Sequence, residues 1–531
     1  MSRWALYEPI EPAAAPGWRF ETIVPAARHY PTNGIRVASD GRLWITQVLG
    51  RHVTSLDPDT NEQRIVVALG AGLRGPDDLA FDRAGNTFLT EPHDDRVMRV
   101  TRDGRLEVWA DELPSANGIT ISKQGRLFID ECRPGGRLIE IDTDEAGRTR
   151  VIVGDLGMPN ALEMGPDGWL YLPEVSANRV LAVDPDSGAT RVAVDDVHRP
   201  SAVKFDNRGR VVVTEAGSGK VTRVDLTTGP EPFRAGNRAR HVLARLAPGL
   251  DNLAFAGEHT LYVSSFVTGA IVRVDLESGA IETLSPARLI TANGVSVSND
   301  GRLIVSDRMS VVRVGPKRPE IERLVCVPVD MQFAIDDAVL IGETLCVLTT
   351  AGTLMQRRAE NGSFHEFPTA DATVGVSCIA FVDQLLFAGR GNDVVTIDLS
   401  GVIHRSIATG LRVDAVAAFE STVAACDRRA GTVVLFDGGD PSVWTGFTDP
   451  AAVTLSADAV FVAEDVPRRI VRVERSSGAR SVVATHVPFG SPLAGHTNGV
   501  GVPSLCATAD GSVIVGCSGD ASLRRLRPIH A

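Results

Sequence analysis

The 531-residue sequence predicts an all-β fold of about twelve four-stranded units in tandem, the architecture of a β-propeller. Three observations carry that expectation. A self-similar segment returns at a spacing of roughly 36 to 52 residues, the length of one propeller blade. Inside each copy apolar residues alternate at strand period, and almost nothing has helical period. Asp-Gly turns such as Asp40-Gly41, Asp167-Gly168 and Asp300-Gly301 separate the first two strands and suit the positive φ of tight hairpins.

The first copy, from Asn33, reads NGIRVASDGRLWITQVLGRHVTSLDP. Relatives start at Pro76 (PDDLAFDRAGNTFLTEPHDDRVMRV), Asn117 (NGITISKQGRLFID), Asn160 (NALEMGPDGWLYLP), Ser201, Asp251 and Asn293. Weaker copies start near Ile335, Ser377, Asp414, Ala451 and Pro503. A first strand such as that holding Ile35 and Val37 is followed by a second of the type LWIT, LFID, LYLP or VVVT. A third reads RVLAVD or KVTRVD, and the outermost is of the type TRVAV. Twelve copies fit two six-bladed rings best, residues 1–285 and 286–531, with a split near Ile281 to Ala292. A division into seven and five competes, because the copy at Asn293 resembles the first six. The last copy lacks a fourth strand after Leu526, and Trp18 to Pro25 is the segment expected to supply it, leaving no free sheet edge.

Composition narrows the class. Hydrophobic residues make up 44% and charged residues 23%, as in a globular protein, and no apolar run is long enough for a membrane-spanning helix. Met1 to Phe20 holds no continuous apolar segment, so no secretory signal is expected. Seven cysteines without C-x-x-C spacing point to a reducing cytoplasm rather than disulfides or zinc. A net charge of −12 disfavours nucleic acid as a partner and suits a cation.

Chemistry in such a fold belongs to the hub, where the innermost strands begin. Counting back eight positions from the turn glycine gives Asn33, Asp77, Asn117, Asn160, Ser201 and Asn293, and the DNLAF segment adds Asp251. Seven successive units thus offer a short oxygen-bearing side chain at one place. The later units give Ile335, Ser377, Asp414, Ala451 and Pro503, a less polar set. Neutral and anionic oxygens in a ring are what a hard divalent cation takes, with Ca²⁺ first and Mg²⁺ or Zn²⁺ as alternatives. The competing reading is that Asn33-Gly34, Asn117-Gly118 and Asn293-Gly294 only make side-chain-to-backbone turns. Second strands end in Gln47, Glu91, Glu131, Glu174, Glu215, Ser265 and Asp307. The four glutamates would stand at the mouth of the channel, or else pair with neighbours such as Arg96 and Arg179. His93, in EPHDD, is the histidine best placed for general-base work.

The motifs PNAL, SANGITIS, TANGVSVSNDGRL and LDNLAF resemble inner strands of the gluconolactonase/senescence-marker-protein-like superfamily, over residues 30–310. The resemblance implies six-bladed propellers whose hydrolases hold a divalent ion and open lactones or phosphoesters. It implies ligand roles for Asn117 and Asn160, for the Asp251-Asn252 pair and for Asp77. The chain has Ser201 where the family pattern has Asp, and Asn33 where it has Glu. The GRLWITQ and LTEPHDDRV segments are also similar to streptogramin-lyase-like propellers.

No G-x-S-x-G elbow, phosphate-binding glycine loop or H-E-x-x-H helix is present in the sequence. The expected function is therefore a divalent-metal-dependent lactonase or esterase acting on a small cyclic ester. The metal set would be drawn from Asn33, Asp77, Asn117, Asn160, Asp251 and Asn252, and the base would be Asp77, Asp251 or His93. The alternatives are a metal-dependent lyase or isomerase on a cyclic natural product, and a non-catalytic interaction module. The second half is expected to act as scaffold or contact surface.

Overall fold

The computed structural model describes residues 10–225, 239–298, 300–315, 320–327, 334–358, 363–367, 375–382, 384–490 and 503–529. The segment Met1 to Pro9, part of the stretch read for a signal, lies outside them. The described strands form twelve antiparallel sheets, eleven of four strands and one of five. Blades are numbered here in chain order, from blade 1 (Ile35–Val37, Leu43–Gln47, His52–Leu56, Gln63–Val67) to blade 12, which starts at Ser504–Ala507. No helix among the described residues is long and apolar enough to cross a membrane.

The chain divides into two compact units, His29–Ala287 with blades 1 to 6, and Met1–Arg28 with Arg288–Ala531, carrying blades 7 to 12. The N-terminal residues therefore group differently from the expected division at residue 285. The reason is a strand pairing: Trp18–Val24 lies antiparallel to Ser522–Pro528, from Trp18 opposite Pro528 to Val24 opposite Leu523. It is the outermost strand of blade 12. Ala13–Ala14 pairs with Arg480–Thr485 as a fifth strand on blade 11.

Alternation explains the packing. Each strand presents side chains to both faces of its sheet, and each face is covered by the next sheet. The core is accordingly divided into twelve clusters, each between two adjacent blades. Phe88 and Trp109 of blade 2 pack on Ile119 and Ile129 of blade 3. In His29–Ala287 the sixth blade returns to the first, with Tyr262, Ile271 and Leu284 against Ile35, Ile45 and Leu56. In the other unit Val24, Ile514 and Leu523 of blade 12 pack on Leu303, Val305 and Val312 of blade 7. Inner strands follow the same cycle, each against the next and the sixth against the first within each unit.

The turn glycines behave as the Asp-Gly pattern requires, with Gly41, Gly85, Gly125, Gly168, Gly209 and Gly301 at φ between 73° and 90°.

Deleting residues 1–24 removes the outer strand of blade 12 together with buried Val24. The expected result in differential scanning calorimetry is a lower-melting transition for Arg288–Ala531, with new protease cleavage in Ser522–Pro528. The melting of His29–Ala287 is expected to stay unchanged.

Candidate functional site

The hub of His29–Ala287 is built by one repeated hydrogen bond. The penultimate residue of a second strand donates its hydroxyl to the main-chain carbonyl of the hub residue in the following blade. Thr46 bonds to Asp77 and Thr90 to Asn117. Thr214 Oγ1 bonds to Asp251 O at 3.2 Å, and Ser264 Oγ closes the cycle on Asn33 O at 2.6 Å. Buried carbonyls are thereby satisfied and each hub residue is fixed relative to the previous blade. In Arg288–Ala531 the same bond runs from Ser306 Oγ to Asp336 O at 2.8 Å. This corrects the alignment of the eighth copy by one residue: Asp336, and not Ile335, holds the hub position. Asp337 then corresponds to Asp78, since each accepts the N–H of its own successor at 2.8 Å.

The glycines after the hub asparagines are explained by close approach between blades. A Cβ on Gly34 would stand 2.7 Å from Asp77 O, and one on Gly118 would stand 2.5 Å from Ala161 N. Neither glycine has positive φ. The Asn-Gly pairs are therefore contacts between blades rather than tight turns.

Once the backbone is satisfied, some side-chain oxygens remain. Asn117 Oδ1, Asp251 Oδ2 and Asp130 Oδ2 are buried and have no hydrogen-bond partner among the described residues. Burial, then the charges of Asp77 and Asp78, hold Asp251 well above the ordinary carboxyl range. Asp77 is raised too, by burial first and then by Asp78 and Asp130. Asp130 is pushed to about 7, chiefly by burial. Burial and the nearby Asp130, Asp77 and Asp251 raise the Cys132 thiol, which accepts a 3.7 Å hydrogen bond from Asn160 Nδ2.

The predicted residues separate into groups at this point. Asp77, Asn117, Asn160 and Asp251 stay with oxygens at the hub. Asn33 has a local positioning role: its Oδ1 accepts the Val48 N–H at 3.2 Å. Asn252 Oδ1 accepts the N–H of Leu253 at 2.9 Å. Ser201 bonds to Thr214 Oγ1 at 3.0 Å. His93 is exposed on the loop after the second strand of blade 2, near Gly75.

The four glutamates do not stand in the channel mouth. Glu91, Glu131, Glu174 and Glu215 are all buried. Glu91 pairs with Arg96 at 2.6 Å and accepts the N–H of Arg74 and, at 2.9 Å, of Gly75. Glu174 pairs with Arg179 and accepts the Gly157 N–H at 2.7 Å, while Glu131 pairs with Arg133 and Arg137. Glu215 accepts the His198 N–H at 3.1 Å and the Thr222 hydroxyl at 2.7 Å. Gln47 serves Tyr30 N, Asp307 serves Thr291 N and Glu464 serves Thr448 N in the same way. These acceptors secure the loop that leads into the inner strand of their own blade.

Other hub residues were not anticipated. Asp130 occupies the place where Thr46, Thr90 and Thr214 stand in other blades, and the LFID string beside LWIT and VVVT carried that signal. Further along the inner strands an ion network crosses between blades. Lys204 meets Glu163 at 2.7 Å, while Arg36 reaches Glu163 at 3.7 Å and Asp78 at 3.4 Å. Burial alone would raise the Glu163 carboxyl, but Lys204 and Arg36 keep it below its usual value.

The donor set fits a hard cation. It consists of amide and carboxyl oxygens, two of them orphaned, beside a carboxyl cluster that a positive charge would relieve. No group of three or more His, Cys, Asp or Glu among the described residues is arranged to hold a metal ion. An all-oxygen set also suits Ca²⁺ or Mg²⁺ better than Zn²⁺.

No family model matches the chain. A gluconolactonase of Zymomonas mobilis subsp. mobilis is 24% identical over 171 residues, which cover 26% of this chain and 48% of the relative. The chain thus spans about half the length of the curated relative it matches. Among solved structures, a streptogramin B lyase is 15% identical, with 54% of this chain and 94% of that chain covered and a TM-score of 0.40. Regucalcin from Agrobacterium tumefaciens, described as a calcium-binding protein, is 20% identical, with 46% and 85% covered and a TM-score of 0.36. The chain is similar to gluconolactonase/senescence-marker-protein-like propellers, in agreement with the inner-strand motifs.

Replacing Glu91 with Ala orphans two N–H groups and a partly buried guanidinium, so about 3 kcal/mol of stability should be lost in urea denaturation. Asp130→Thr should restore the inter-blade hydrogen bond. Because the folded carboxyl titrates above the unfolded one, the contribution of Asp130 to stability falls as pH rises from about 4 to about 7. The gain in melting temperature from Asp130→Thr should accordingly be larger at pH 8 than at pH 5.

Proposed function

We propose that His29–Ala287 forms a six-bladed ring whose hub is the active site of a divalent-metal-dependent lactonase acting on a small cyclic ester. The observation that carries this reading is the orphaned pair Asn117 Oδ1 and Asp251 Oδ2, set among carboxyls whose affinity for a proton is raised by burial and by one another. The similarity to a gluconolactonase supports the choice of substrate class.

Asp77, Asn117, Asn160 and Asp251 would hold the ion. Bound there, a divalent cation would polarise the ester carbonyl and stabilise the developing oxyanion. Asn33, whose oxygen is held by the Val48 N–H, helps to secure the entry of its own blade. Asp77, whose raised proton affinity a bound cation would lower, would take the proton of the attacking water on a carboxylate oxygen and return it to the leaving alkoxide. The hydroxyl-to-carbonyl bonds from Thr46, Thr90 and Thr214 fix the backbone that carries Asp77, Asn117 and Asp251. The exposed His93 has no part in this chemistry.

The purified protein is expected to carry one divalent ion per chain by plasma mass spectrometry, and a chelator should lower its melting temperature. A screen of γ- and δ-lactones should yield products heavier by one water, which separates hydrolysis from a lyase or isomerase. Asn117→Ala and Asp251→Asn should each reduce turnover by at least about a hundredfold while near-UV circular dichroism is preserved. Full activity in both variants contradicts the assignment.

A further inference from the structure

The unit that carries blades 7 to 12 was expected to be scaffold, yet a cavity lined by inner strands lies within it. The inner strands of all six blades line a channel of about 500 Å³. Ligand pockets commonly have this size, apolar walls and a small number of polar groups. Val339, Ile379, Val416 and Leu505 supply apolar wall, and Asn293, Asp336, Asp337 and Asp414 supply the polar groups.

Asn293 is the telling residue. Its side chain is 8% exposed and lines the channel, yet neither Oδ1 nor Nδ2 has a hydrogen-bond partner among the described residues. A buried amide left unpaired on both atoms costs free energy that a bound polar group would recover. The carboxyls differ in what already compensates them. Asp336 faces Arg308 at 3.6 Å, and Asp414 pairs with Arg412 at 3.1 Å. Asp337 accepts the Ala338 N–H at 2.8 Å, and no ion pair to it is found among the described residues. None of the described residues lining the channel is Lys or Arg. Burial pushes Asp337 to about 7, a state that a bound cation would reverse.

The hub of His29–Ala287 fills the corresponding level with Arg36, Glu163 and Lys204. Three residues beyond Asn293, where that hub has Arg36, blade 7 has Ser296, which donates to Ala338 O at 3.1 Å. The channel therefore has a polar, uncompensated end and an apolar body.

We propose that this channel binds a small organic cation, with an ammonium head held by Asn293 and Asp337 and a hydrocarbon body against Val339, Ile379 and Val416. A charge-assisted hydrogen bond to Asp337 would supply selectivity, and apolar burial would supply much of the affinity. This site is separate from the lactonase hub and does not depend on that assignment.

The test is isothermal titration of the full chain with n-hexylammonium, using 1-hexanol and hexanoate as neutral and anionic probes of equal length. Saturable binding of hexylammonium at least about tenfold tighter than hexanol, with hexanoate not bound, is expected. Asp337→Asn should weaken the ammonium by about ten- to a hundredfold and leave hexanol unchanged. Should that variant fail to fold, Val416→Phe, which narrows the channel, should abolish binding of both hexylammonium and hexanol. No binding, equal binding of the three probes, or ammonium binding indifferent to both substitutions overturns the proposal.

Discussion

Every described sheet has two faces to bury, and each is covered by a neighbouring sheet. That constraint sets the rest of the structure. It turns a row of repeats into a cycle, because the sixth blade of each unit covers its open face with the first. Apolar strand residues such as Ile35 and Leu303 serve that packing, with burial worth about 1.5–3 kcal/mol for each large side chain. The cycle also forces the inner strands together, and with them the backbone groups at which those strands start. The hydroxyl bridges from Thr46, Thr90, Thr214 and Ser264 answer that second demand.

Unpaired atoms at a hub carry information. The main-chain carbonyls of Asn33, Asp77, Asn117 and Asp251 accept hydroxyls from the preceding blade, and loop N–H groups at Gly75, Gly157 and His198 are held by buried glutamates. In His29–Ala287 the oxygens left over include those of Asn117, Asp130 and Asp251 at the hub, with Asp225 elsewhere. In the other unit Asn293 is left over on both side-chain atoms and lines the channel, among other atoms without a hydrogen bond such as Asp336 Oδ1 and Asp465 Oδ1. The two hubs share an origin in the same repeat and diverge in what fills them: ions and carboxyls in one, aliphatic walls in the other. A buried polar group without a partner is costly to keep, and its persistence at a hub points to a ligand.

Much of this was legible in the sequence because it depends on period. The blade spacing, the turn glycines and the outer strand from Trp18 to Val24 all follow from strand alternation and from an incomplete last repeat. The hub positions Asp77, Asn117 and Asn160 could be counted from a glycine, and Asp251 followed from the likeness of DNLAF to DDLAF. Side-chain direction was not legible. Glu91 and Glu174 recur as conspicuously as the hub residues but point into loops, where backbone N–H groups and Arg96 or Arg179 take them. Asn252 is one residue from Asp251 and faces its own strand. The eighth repeat, with an Asp-Asp pair and no turn glycine at the usual distance, was misaligned by one residue, which concealed Asp336 and Asp337. Asp130 was hidden by substitution, a carboxyl standing where the pattern has threonine.

The most direct test of the central claim is a crystal structure of the full chain grown with terbium, a calcium mimic with a strong anomalous signal. The account predicts one anomalous peak in the hub of His29–Ala287, about 2.3–2.6 Å from oxygens of Asn117 and Asp251, with Asp77 and Asn160 completing the set. An empty hub, with Asp77 and Asp251 joined by a shared proton and the orphaned oxygens bonded to water, would contradict it.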